Sequence, residues 1–281
     1  MTGLSLEGGA MRGLFSCGIL DVFMENGITF DGAAGISAGA VFGVNVKSGQ
    51  IGRAIRYNKK YGRDKRYCSF WSLIHTGDLY GADFCYRVLP NELDVFDRQA
   101  FTDNPMKFYI GATDIETGEI IYHTCTDGGE LDLNWMRASA SMPFVSKPVQ
   151  IDGHLLLDGG IVVPVPLPWM EQLGYDRNVV ILTQPKGYRK TRSRSTDLMS
   201  LMLHKYPKTA DAMKNRYLRY NEQLESIDLK AERGEILAIY PDESLGIKRT
   251  ENDPDELERV YQIGRKKGTE FLESVRAFLN S

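Results

Sequence analysis

The chain has 281 residues, 42% of them hydrophobic, and a formal net charge of -3. That length suits one large domain with a sizeable core, in preference to two small ones. The faintly acidic balance argues against a dedicated nucleic-acid binder, and the expected partners include no nucleic acid. The four cysteines, Cys17, Cys68, Cys85 and Cys125, form no CxxC pair. They predict reduced thiols, with no disulfide framework, metal site or cofactor.

Met1 to Leu6 carries no basic, apolar leader, and no window approaches the ~18 apolar residues of a membrane span. The expected location is the cytoplasm, with at most peripheral contact at a membrane.

In chain order, Leu4 to Leu6 reads as a short strand broken by Glu7-Gly8-Gly9, and Leu14 to Phe23 as a helix ended by Asn26-Gly27. Ile28 to Ala34 is the next extended run, and Ser37 to Val46 is a helix rich in small residues. Met106 to Ala112, Ile120 to Thr124, Leu155 to Leu157, Val179 to Thr183 and Ile236 to Tyr240 are further strands. Several are almost wholly apolar, as in a parallel sheet buried on both faces. Tyr206, Ala210, Met213, Tyr217, Tyr220, Leu224 and Ile227 recur at four and three spacing, which predicts one continuous helix face. Asp255 to Leu279 is a last helix. The alternation of strands and helices predicts an α/β layered fold.

Three elements carry chemistry. Gly35-Ile36-Ser37-Ala38-Gly39 is a GxSxG pentapeptide between an apolar run and a helix. On such a turn the serine hydroxyl projects above a sheet, while the glycines let flanking backbones approach. A chance turn is the alternative in a chain with 28 glycines. Glu7-Gly8-Gly9-Ala10-Met11-Arg12-Gly13 is a Gly-rich strand-to-helix turn whose outward N–H groups could hold an oxyanion. It lacks the GxGxxG or Walker lysine of a nucleotide site. Asp158-Gly159-Gly160 follows the run Leu155 to Leu157; alone it is an ordinary turn.

Together these elements resemble the patatin-like phospholipase family. Ala138-Ser139-Ala140-Ser141-Met142-Pro143-Phe144, Pro148 and Asp152-Gly153 stand in that family's order, and the resemblance covers roughly residues 3 to 185. It implies a three-layer α/β/α patatin-like fold with a central, mostly parallel sheet. It implies a catalytic core over 1–185, with a helical C-terminal extension over 186–281 packed on the same domain.

The resemblance further implies a lipid acyl hydrolase of phospholipase A or lysophospholipase type. Ser37 would be the nucleophile and Asp158 the base. Gly8, Gly9 and Ala10 would form the oxyanion hole, with Arg12 fixing that turn and Gly35 and Gly39 framing the elbow. Glu7 and Ala10 depart from the family pattern. Ala10 stands where a third glycine is usual, and it would be strained if that position needs a positive φ.

Two rival readings stay open. A Ser–His–Asp esterase or thioesterase would need His75, His123, His154 or His204, of which His154 has even strand spacing from Asp158. A non-catalytic lipid-binding protein of the same fold is the other. The substrate partner would be a lipid or small ester. The basic stretches 53–66 and 186–194 could meet anionic headgroups, against the plainer reading of solvated surface. The apolar cluster Leu198 to Leu203 could line an acyl pocket or simply be core.

Overall fold

The computed structural model describes residues 1–280. In chain order its elements are β1 Thr2–Leu6, α1 Gly13–Glu25, β2 Gly32–Ile36, α2 Ala38–Lys47, α3 Arg53–Tyr61, α4 Phe70–Thr76 and α5 Arg98–Asp103. There follow β3 Lys107–Asp114, β4 Glu119–Thr124, α6 Glu130–Ser139, β5 Val149–Ile151, β6 His154–Asp158, α7 Leu167–Gln172 and β7 Arg177–Ile181. The last are α8 Arg194–Met202, α9 Pro207–Lys214, α10 Arg216–Glu232, β8 Ile236–Ile239 and α11 Pro254–Asn280.

All eight strands form one sheet. The pairs β3–β2, β2–β1, β1–β7 and β7–β8 are parallel, whereas β4 and β6 run antiparallel to β3 and β5 antiparallel to β6. The near-continuous apolar runs follow from burial on both faces. In β7, Val179 and Ile181 face a core shared with α1 and α11. Val180 and the following Leu182 face a second core with Tyr220, Leu224 and Ile227 of α10. That alternation places helices on either side of the sheet and makes the three-layer α/β/α arrangement. The sheet takes β8 from beyond residue 185.

Two local details differ from the sequence reading. The run expected over Ile28 to Ala34 becomes a strand only at Gly32. The helix is closed by Gly27 and Ile28: Gly27 has φ 68°, its N–H donates to Met24 O, and Ile28 N–H donates to Phe23 O. This is a Schellman closure, which consumes the start of the apolar run. The single helix expected over Tyr206 to Ile227 is two, α9 and α10, divided at Asn215. Asn215 N–H bonds back to Asp211 O, while its own carbonyl receives Leu218 N–H. The spacing survives because only one residue interrupts it, but Met213 and Tyr220 enter different cores.

α1 is buried along nearly its whole length. It meets α11 backbone to backbone: a Cβ on Gly264 would lie 2.0 Å from Phe15 O, and one on Gly18 would lie 2.2 Å from Tyr261 O. Only glycine permits that approach.

Candidate active site

β2 and β6 lie on the same edge of β3. Tyr109 to Gly111 of β3 pair with β2 on one side and β4 on the other; Ala112 to Asp114 pair with β4 and β6. Since β4 continues along one edge, β6 takes over the other where β2 stops. β2 ends with Ile36 opposite Gly111, and β6 ends with Asp158 opposite Ala112. The two strands point at one another, so Ser37 and Asp158 meet at the junction and line one polar cavity.

Ser37 caps the N-terminus of α2 with φ 55° and ψ −121°, a conformation that costs an L-residue on the order of 1–3 kcal/mol. The surroundings hold it there. Ser37 N–H donates to Ser139 Oγ at 2.9 Å, and Ser139 Oγ donates to Gly111 O at 2.6 Å. Gly35 and Gly39 are required by contact: a Cβ on Gly35 would lie 2.3 Å from Gly39 O, and one on Gly39 2.4 Å from Leu6 O.

Asp158 is 2% exposed. Its backbone is fixed at both polar groups, N–H to Ser141 O and C=O from the Thr113 hydroxyl. Its carboxylate receives Gly160 N–H at 2.7 Å. Burial raises its pKa above the ordinary carboxylate value. The Ser37 hydroxyl, acting as hydrogen-bond donor, opposes that rise, as do the charge of Arg216, the Gly160 N–H and the charge of Arg249.

The Gly-rich turn after β1 closes the site. A Cβ on Gly8 would lie 2.9 Å from Ser37 Cβ, so this turn lies directly against the serine. The N–H groups of Gly8, Gly9 and Ala10 have no acceptor among the described residues. Ala10 has φ 50°, the left-handed conformation expected to be strained without a Cβ-free residue. Glu7 is buried beneath the turn, and its carboxylate is fully used. It accepts from Thr183 N–H at 2.6 Å, the Thr183 hydroxyl at 3.0 Å and the Tyr220 hydroxyl at 2.7 Å.

Two cavities share Ser37 and Ala10. One, of about 100 Å³, is walled by apolar and aromatic side chains including Val41, Phe42, Tyr57, Tyr80 and Leu89. The other, of about 70 Å³, is polar and contains Arg12, Lys190, Arg216 and Arg249. Sequence reasoning missed the last three as site residues, along with Ser139, Thr183 and Tyr220. Lys190 sat in the basic loop, Tyr220 on a helix face, Ser139 in the segment 138–144 and Thr183 at a strand end, none with a role in the site, while Arg216 and Arg249 belonged to no motif.

No histidine lines either cavity. His154 Nδ1 lies 2.6 Å from Asp114 Oδ2, and His123 Nε2 lies 2.6 Å from Asp132 Oδ1. His75 stacks on Trp71, and His204 bonds Leu201 O. His123, Cys125 and Asp132 bring possible ligand atoms within 4.8 Å of one another. Asp132 there also accepts the Thr126 and Gly128 N–H groups, and burial pushes the Cys125 thiol well up, which favours its protonated form.

The basic stretch 53–66 is largely spent on internal pairing. Arg53 and Arg56 both engage Asp94, Lys59 engages Glu258, Arg63 engages Asp253 and Arg66 engages Asp64. In the second stretch Lys186, Arg189 and Arg192 pair with Glu232, Asp228 and Asp197, whereas Lys190 turns into the polar cavity. No helix of the described residues is long and apolar enough to cross a membrane.

The fold and the serine turn define a three-layer α/β protein with an elbow between β2 and α2. Residues 4–169 match the family described as Patatin-like phospholipase, and the chain belongs to that family. Residues 206–280 match a domain of unknown function, DUF6363.

The chain is 26% identical over 288 residues to the uncharacterized protein YjjU of Escherichia coli, covering 98% of this chain and 78% of that one. It is 25% identical over 295 residues to lysophospholipase NTE1 of Coccidioides immitis, covering 98% of this chain and 18% of that one. An uncharacterized NTE family protein of Mycobacterium tuberculosis is 24% identical over 210 residues, 75% of this chain and 56% of its own. The chain thus spans little more than half the length of that mycobacterial relative. VipD from Legionella pneumophila superimposes with a TM-score of 0.46 at 12% identity, over 97% of this chain and 67% of that one.

Proposed function

We propose that the protein is a carboxylic ester hydrolase acting on lipids, of phospholipase A or lysophospholipase type, through Ser37 and Asp158. The observation that carries this reading is the meeting of a strained serine with a buried carboxylate at the facing ends of β2 and β6.

In this reading Asp158 takes the Ser37 proton as Oγ attacks the ester carbonyl. The N–H groups of Gly8, Gly9 and Ala10 receive the oxyanion; one such donor typically contributes about 3–4 kcal/mol. Asp158 returns the proton to the departing alcohol, leaving an acyl group on Ser37. Water activated by the same carboxylate then releases the fatty acid. The aromatic cavity takes the acyl chain. The raised pKa of Asp158 supports its role as base, because it lies nearer the working pH than an ordinary carboxylate. A triad finds no support, since His154 and His123 are committed to other aspartates.

Peripheral membrane contact is supported by α4, not by the basic stretches. Phe70, Trp71 and Ile74 are 77%, 46% and 79% exposed, and large exposed apolar groups in one patch mark interaction surfaces.

Hydrolysis of p-nitrophenyl butyrate by the wild type beside Ser37→Ala and Asp158→Asn, each checked by circular dichroism, tests the reading. Ser37→Ala is expected to abolish turnover, and Asp158→Asn to lower it about 10²–10⁴-fold. Activity surviving in Ser37→Ala would overturn it.

A further inference from the structure

Four cations converge on the polar side of Ser37 and have no carboxylate partner. Arg12, Lys190, Arg216 and Arg249 line the cavity with Glu7 and Asp158. None of the four forms an ion pair among the described residues. Arg12 Nε is buried without any acceptor. The two acids offset only part of four positive charges: Glu7 accepts from Thr183 and Tyr220, and Asp158, which faces Arg216, also accepts from Gly160 N–H and Ser37.

Lys190 and Arg216 are held in place by neighbouring side chains and backbone, while Arg249 is the most exposed of the four. Lys190 is pinned by reciprocal bonds to Asn221: its N–H donates to Asn221 Oδ1 at 2.8 Å, and Asn221 Nδ2 donates to its carbonyl at 2.9 Å. Its Nζ lies 3.3 Å from the centre of the Tyr220 ring. Arg216 donates from Nε to Gly160 O, beside the Asp158 carboxylate. The Arg249 carbonyl is bonded by the Tyr80 hydroxyl at 3.0 Å.

Burial is the first cause that lowers the pKa of Lys190, Arg216 and Arg249 below the ordinary value. Cationic neighbours in the cluster add to this for each, while Asp158, Tyr220 and Glu7 oppose it at Arg216, Asp158 and Tyr188 at Arg249, and Glu7 at Lys190. A like-charged cluster maintained at that cost is a site awaiting an anion.

We infer that this cluster binds the phosphate of the substrate, and that the preferred lipid is an ester carrying a phosphomonoester dianion a few bonds from the scissile carbonyl. The inference rests on the hydrolase reading and names its substrate class. Ser37 and Ala10 border both cavities, so an ester at Ser37 has its acyl chain on the aromatic side and its headgroup among the cations. The cations line the same cavity as Ser37, which places phosphate and ester within one headgroup of each other. A zwitterionic headgroup would bring an ammonium to a cavity with no free carboxylate, so phosphocholine esters are disfavoured. Three of the four cations lie beyond the matched segment 4–169, and two of them in 206–280, so headgroup selection is the work of the C-terminal part.

The test compares 1-acylglycerol 3-phosphate, 1-acylglycerol and 1-acyl-glycerophosphocholine of one chain length in mixed micelles. The dianion should exceed both others in kcat/KM by about tenfold or more, as loss of a charge-assisted contact implies. Arg249→Gln and Lys190→Gln should erase most of that preference; Arg249 is exposed, so its replacement is compatible with folding. Equal rates on the three lipids would overturn the inference. So would binding of inorganic phosphate without any substrate preference, which would make the anion a free effector.

Calorimetry of glycerol 3-phosphate with Ser37→Ala separates the two readings. Binding that is lost in Arg249→Gln supports the phosphate site even if no ester is cleaved. No binding, beside intact Ser37-dependent hydrolysis, overturns the phosphate site alone.

Discussion

The Tyr220 hydroxyl reaches across from α10 to the Glu7 carboxylate at 2.7 Å, joining residues 213 positions apart beneath the Gly-rich turn. The same Tyr220 ring supports the Lys190 ammonium. Replacing Tyr220 with Phe keeps the ring but leaves one buried carboxylate oxygen without its donor. A loss of about 1–3 kcal/mol in urea unfolding is expected. The Lys190 contact should persist, so Tyr220→Phe should retain glycerol 3-phosphate binding that Tyr220→Leu loses.

Asp158 gives a prediction with a definite sign. Its folded-state pKa is raised, so the native protein holds this proton more tightly than the unfolded chain. The associated stability is fully present below the ordinary carboxylate pKa and is lost as pH rises through the raised value. At neutral pH, Asp158→Asn should therefore be more stable than the wild type although inactive, and the gain should shrink as pH falls through the raised value toward the ordinary carboxylate pKa. Thermal melts of both proteins from pH 4 to 8 measure this; a variant less stable at pH 7 would contradict it. If Asp158 is the base, as proposed, activity should fall as pH drops through the raised pKa, since the base must be ionised.

Ala10 occupies φ 50° with a Cβ that this conformation disfavours. Ala10→Gly relieves about 1–2 kcal/mol of backbone strain against about 0.5–1 kcal/mol of added unfolded-state entropy. A net stabilisation of up to about 1 kcal/mol is expected in denaturant titration. Ala10→Val should move stability the opposite way.

The contact of α1 with α11 tolerates no side chain at Gly264. A methyl there would sit 2.0 Å from Phe15 O, which is backbone and cannot step aside. Gly264→Ala should cost about 3 kcal/mol or more through overpacking. Since α1 begins directly after the Gly-rich turn proposed to hold the oxyanion, ester hydrolysis should decline with it. A melting temperature within 2 °C of wild type, about the sensitivity of a domain this size to a small change, would refute the contact.

The exposed face of α4 should carry interfacial binding. Phe70→Glu with Ile74→Glu is expected to reduce sedimentation with anionic lipid vesicles, while turnover of p-nitrophenyl butyrate, which needs no interface, is spared. Unchanged vesicle binding would rule the patch out.

The fold class and the chemically loaded turns were legible because each has a local cause. The GxSxG glycines answer to contacts within a few residues or with β1, and the apolar runs of β1, β3 and β7 answer to burial on both faces. The helix break at Asn215 was not legible, because one interrupting residue leaves the four and three spacing almost untouched. The role of the basic stretches stayed undecided for a different reason. A run of charges reveals nothing of its partners, and Asp94, Glu258 and Asp253 come from distant positions. The cationic cavity was hidden likewise, being assembled from residues 12, 190, 216 and 249 by the packing of α10 and the loop before α11 against the sheet.

The facing ends of β2 and β6 have a consequence for how such a protein can change. Both strands take their position from the hydrogen-bond ladder of β3, so Ser37 and Asp158 can shift only in whole register steps. The Asp152-Gly153 hairpin, with φ 49° and 84°, and the long excursion between α2 and β3 lie outside that ladder. Loops there are free to lengthen, shorten or exchange sequence while serine and carboxylate stay in register. Specificity can drift on this scaffold without retuning the proposed serine–aspartate pair.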